Sequence, residues 1–265
     1  MILSKSDVVG VGIQGQDGRG ITSTGTLVVA NSLVSNNRSY ESGGGILSQG
    51  TLTVRNSVIK GNWSDRWAGG ILVFGQTTIT GTTITGNFAE EDAGGFDSDN
   101  QGCCVTITNS VISNNLAYHG QGGGVWNWGT MTIKGSRIFG NESGNPGEGT
   151  GGDGIYNHGP ATLTLINTQV YSNSNEDGGN GSAIYNNGTL TLDRSRVFDN
   201  HALASGSYGF GGGIYNAGSA TLKNGTEVTA NVADADGGGV YNVGTISVGS
   251  DVLIHDNIPN DCVGC

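Results

Sequence analysis

The chain has 265 residues, fifty of them Gly and only three Pro, with 11 Lys and Arg against 22 Asp and Glu for a net charge of −11. Gly without a three-residue period excludes collagen, and short alternating runs of Leu, Ile, Val and Tyr exclude a disordered chain. The few basic residues are scattered and no apolar run approaches the roughly 20 residues of a spanning helix, so neither nucleic acid nor direct membrane insertion is expected.

Taken in chain order, residues 1–19 read as an irregular or incomplete first coil. A repeat then sets in, with degenerate copies beginning at Gly20, Gly43, Gly69 and Gly94. Clearer copies follow as Gly122-Gly123-Gly124-Val125-Trp126-Asn127-Trp128-Gly129, Gly154-Ile155-Tyr156-Asn157, Ala183-Ile184-Tyr185-Asn186, Gly213-Ile214-Tyr215-Asn216 and Gly239-Val240-Tyr241-Asn242. After each copy comes a short alternating stretch, as at residues 51–54, 162–165 and 189–192, and then a β-branched apolar residue with Asn three positions on. That Asn recurs as Asn37, Asn62, Asn87, Asn115, Asn141, Asn173, Asn200, Asn231 and Asn257, at intervals of 25 to 32 residues.

An apolar period of two, with Gly and β-branched residues dominant, predicts strands and not helices. A repeat of this length predicts an all-β, right-handed parallel β-helix of about nine coils with three short strands per coil, in which each coil pairs with the next. The whole of 1–265 is expected to form this one domain, closed by residues 258–265. Stacked Asn side chains at the bends are expected to bond to one another and to the backbone as an asparagine ladder. Length variation falls after each Asn, marking surface loops on one edge.

The Gly-Gly-Gly-Ile/Val motif paired with apolar-x-x-Asn resembles the repeat of chlamydial polymorphic outer-membrane proteins and the right-handed β-helix proteins of the pectate-lyase-like superfamily. The segment 257–264 is similar to those that close such repeat regions in large secreted bacterial proteins. The chlamydial repeat usually carries Phe where this chain has Ile or Val before its Asn. The resemblance covers nearly the whole chain and implies the fold far more strongly than a function.

No catalytic constellation is recognisable, and neither a cofactor nor a metal is expected. Relatives that cleave polysaccharides would show acidic calcium ligands with an Arg base, or an Asn-Thr-Asp motif with an Asp-Asp pair and Gly-His-Gly. His119 and His158 lack such partners and read as loop residues. The acidic stretches 90–92, 176–177 and 234–236 read as solvated loops. Of the four cysteines, Cys103 and Cys104 would lie more than about 20 Å along the axis from Cys262 and Cys265, so a local Cys262–Cys265 disulfide is expected.

Two outward columns carry the remaining interest. Trp126, Tyr156, Tyr185, Tyr215 and Tyr241, with Trp128 nearby, form a candidate ligand-binding stripe for sugar rings or a partner surface, set against ladder stacking within the sheet. Thr51, Thr53, Thr130, Thr132, Thr162, Thr164, Thr189 and Thr191, with Thr26, Thr106 and Thr245, form a Thr-x-Thr column that resembles an ice-binding face and equally suits strand propensity.

The expectation is a non-catalytic extracellular or cell-surface protein of bacterial type, adhesive or structural. Its partners would be a surface glycan, a host or cell-surface ligand, or its own terminal coils stacked end to end into filaments. A diverged carbohydrate-active lyase or hydrolase and an ice-binding protein are the alternatives.

Overall fold

Strands of this chain pair in parallel with their counterparts one coil earlier and one coil later, so the backbone winds as a solenoid. The computed structural model describes residues 1–9, 20–99, 104–144, 151–175, 179–203 and 208–265. The acidic stretch 176–177 and Cys103 lie outside the described residues.

Three parallel sheets of ten strands each form the walls. The first sheet takes the strand after each Gly motif, from Ile21–Ser23 through Val125–Asn127 to Cys262–Val263. The second runs from Ile2–Ser4 through Thr130–Lys134 to Thr245–Val248, and the third from Asp7–Val9 through Arg137–Phe139 to Leu253–His255. Beyond the three strands expected per coil, the structure adds a two-residue strand after the Asn turn, such as Trp63–Ser64 and Phe88–Ala89. Ile2–Ser4 and Asp7–Val9 are already in register with the coil that follows them.

Alternation places the core. In Thr130–Lys134 the side chains of Met131 and Ile133 are buried while Thr130 and Lys134 face out. Repeated in every coil, this stacks Leu52, Ile79, Ile107, Ile133, Leu165, Leu192 and their neighbours into one apolar interior. Removal of such branched side chains from water is the main drive for coiling.

The corners depend on left-handed backbone and on side chains that replace missing strand partners. Between the second and third sheets, Asn31, Asn56, Gly81 and Asn109 have φ of +48° to +58°, a region that Asn and Gly tolerate best. The next residue is Ser or Thr. Its hydroxyl accepts the N–H of its counterpart in the preceding coil, as in Ser32 to Ser57 (3.2 Å) and Thr82 to Ser110 (3.2 Å).

At the following corner stands the asparagine ladder. Asn62 Oδ1 accepts both the backbone N–H of Asn37 (3.1 Å) and its Nδ2 (2.9 Å), and the pattern continues to Asn231 on Asn257. The same amides donate to carbonyls, Asn62 Nδ2 to Val34 at 3.1 Å. Asp261 then ends the column, its Oδ1 accepting from the Asn257 N–H and Nδ2 at 3.0 and 3.1 Å. The ladder explains the glycine motif: a Cβ at Gly124 would lie 2.9 Å from the Asn141 amide carbon and 2.5 Å from the Gly154 carbonyl oxygen. A bare backbone passes there most easily, and among the later coils Ala183 is the one departure. Just beyond, Cys262 and Cys265 are joined by a disulfide.

Candidate functional site

The outward column of the first sheet changes character along the axis. In register it reads Thr22, Leu47, Leu72, Asp97, Trp126, Tyr156, Tyr185, Tyr215 and Tyr241. The rings stack at 5.1 Å between Tyr156 and Tyr185, 4.9 Å between Tyr185 and Tyr215, and 5.6 Å between Tyr215 and Tyr241. Outward from the core does not mean bare. Return segments cover parts of this face: Ala68 packs with Leu47 and Leu72, and Phe210 packs on Tyr241, while Tyr156 is only 9% exposed. Burial pushes the Tyr185 phenol up to about 12. The candidate stripe is therefore for most of its length a half-buried ring ladder, with Trp126 and Trp128 at the end nearer the N-terminus.

That end opens into a cleft of about 360 Å3 lined by Trp67, Asp92, Asp97, Asp99, Trp126 and Trp128. Three successive coils contribute. Trp67 comes from the return segment of one coil, Asp92, Asp97 and Asp99 from the next, and Trp126 and Trp128 from the third. Trp126 meets Tyr156 edge-on at 5.9 Å, and Trp128 lies flat on His158 at 3.5 Å. Arg66 sits 4.2 Å over the Trp67 ring.

The polar groups are poised and not spent. Asp97 is 5% exposed and has no hydrogen-bond partner among the described residues. Burial, reinforced by the charges of Asp99 and Asp92, holds its carboxyl well above the usual carboxylate range. Asp92 accepts the Gln121 backbone N–H at 2.7 Å, and burial raises it to about 7 against that bond. The buried indole Nε1 atoms of Trp126 and Trp128 have no partner among the described residues. The lining thus combines aromatic rings with carboxyl groups, which can pack against and hydrogen-bond to a small polar molecule.

The ladder residues Asn37 to Asn257 are all buried in the corner and take no part in this cleft. His119 lies beside Glu90 at 3.7 Å, and Glu91 beside Arg66 at 3.7 Å. Among the described residues no three His, Cys, Asp or Glu side chains converge as metal ligands would. Cys104 is exposed and unbonded. Sequence reading missed Asp97, although one signal was present: it occupies the position that is aromatic in five later coils. It also missed Asp153, buried beside the ladder, where the Ser143 hydroxyl donates to its Oδ1 at 2.6 Å.

Residues 46–244 match the family described as the right handed beta helix region. The chain belongs to that family. The match spans the clear repeats and the cleft, so the solenoid described above is a right-handed β-helix. No curated protein and no solved structure matches the chain.

Proposed function

We propose that this right-handed β-helix is a non-catalytic, extracellular or cell-surface carbohydrate-binding protein, with the Trp67–Asp97–Trp128 cleft as its glycan site. The observation that carries the reading is Asp97, nearly buried, without a hydrogen-bond partner among the described residues, and lining an aromatic cleft. Indole faces stack on the apolar faces of sugar rings, and the carboxyl groups of the lining supply directional bonds to hydroxyls. The carboxyl groups of Asp92 and Asp99 in the lining oppose uronates and sulfated sugars, which favours neutral or amino sugars. The cleft falls within the size range of pockets that enclose a small ligand.

A glycan array probed with the full chain, followed by calorimetry on the best ligand, tests this. Neutral or amino sugars are expected to bind and polyuronates not. Trp128→Ala is expected to weaken binding at least about tenfold through lost stacking, and Asp97→Asn to weaken it less. Absence of binding to any glycan, or binding indifferent to both substitutions, would remove the proposal. Release of shorter products from the bound glycan would replace it with the carbohydrate-active reading.

A further inference from the structure

The outer face of the second sheet presents the opposite of the covered aromatic face. One register column reads Thr53, Thr78, Thr106, Thr132, Thr164, Thr191 and Thr221, unbroken over seven coils. Two residues earlier in each strand runs a second column of Thr130, Thr162, Thr189, Ser219 and Thr245, preceded by Cys104. Neither column contains a charged residue. The charges of this sheet, Arg55, Lys134, Asp193 and Lys223, lie in a third column at the strand ends. All these Thr side chains are exposed or partly exposed, with Thr78, Thr106, Thr130, Thr189 and Thr245 in the exposed group.

Such a face has properties a pocket lacks. Each Thr is β-branched and confined at χ1, and identical neighbours stand above and below it at the strand spacing of about 4.8 Å. Positions two apart along a strand repeat at about 6.7 Å. The result is a rigid two-dimensional lattice of hydroxyl and methyl groups. A small ligand would meet only a corner of it, and an ionic polymer would find no charge. Full use requires a partner that repeats on the same scale. Water provides one: tetrahedral O–H···O bonds of about 2.75 Å set next-nearest oxygens about 4.5 Å apart, within a tenth of the coil rise.

We propose that the Thr face of the second sheet binds ice. This site is separate from the cleft and does not depend on the glycan reading. The test is thermal hysteresis and inhibition of ice recrystallisation by the full chain, alongside the double variant Thr132→Lys/Thr164→Lys and the cleft variant Trp128→Ala. Circular dichroism checks each fold, and Thr132→Tyr serves in place of the double variant if that one does not fold. Expected are hysteresis and shaped crystals for the unsubstituted chain and for Trp128→Ala, and their loss in the face variants. Hysteresis no greater than that of serum albumin at equal concentration overturns the proposal, as does activity undiminished in the face variants. So does retention on microcrystalline cellulose or chitin, lost in the face variants, without any effect on ice.

Discussion

Two columns of Asn climb this solenoid, and they differ in what each amide replaces. The first passes through all nine Asn turns, and at every step its Oδ1 accepts a main-chain N–H as well as the amide of the coil before. The second runs from Asn127 through Asn157, Asn186, Asn216 and Asn242 to the Gly264 carbonyl, with amide-to-amide bonds of 2.6 to 2.8 Å. In the earlier coils its register position holds Ser23, Ser48, Val73 and Ser98. Buried main-chain N–H groups must find an acceptor, so the first column tolerates no gap. The second column bonds to itself and to main-chain carbonyls, which have a second lone pair to spare. Other residues stand in for it, leaving buried hydroxyls on Ser48 and Ser98 without a partner among the described residues.

The difference can be broken most strongly at Asn141. Asn141→Ala removes the acceptor of the Asn115 N–H and of one of its two amide hydrogens, and urea unfolding should register a loss of about 3 to 5 kcal/mol. Asn186→Ala in the second column should cost about 1 to 2 kcal/mol, and equal losses would refute the distinction.

A middle-sized effect is expected beside the first ladder, at Asp153. Burial raises its carboxyl to about 7 despite the Ser143 bonds. Between pH about 4 and about 7 the folded chain therefore keeps a proton that the unfolded chain has lost, and stability falls as pH rises through that window. Asp153→Asn should shrink the difference between unfolding midpoints at pH 5 and pH 8. An unchanged difference would assign the slope to Asp92 and Asp97. Smallest is Ser98→Ala: deleting a hydroxyl that has no partner among the described residues should leave stability within about 0.5 kcal/mol or raise it.

The coils and the first ladder were legible in the sequence because they recur. Each coil repeats the same alternation and the same Asn three residues past a β-branched residue, so nine imperfect copies reinforce one reading. The second ladder lay inside the quoted Gly-Ile-Tyr-Asn motif but carried no assigned role, since Asn after an aromatic residue reads equally well as a turn. Asp97 was harder still. It is a single departure in a column, and its burial depends on its neighbours in other coils.

Sequence periodicity by itself determined the strand order, the inward apolar columns and the Asn corner, since those rest on contacts between equivalent positions one period apart. Tertiary structure decided which outward face is covered and which is bare. The return segments after the Asn turns vary in length and sequence, and their path over the first sheet encloses Asp97 among three Trp rings while leaving the Thr lattice of the second sheet open to water.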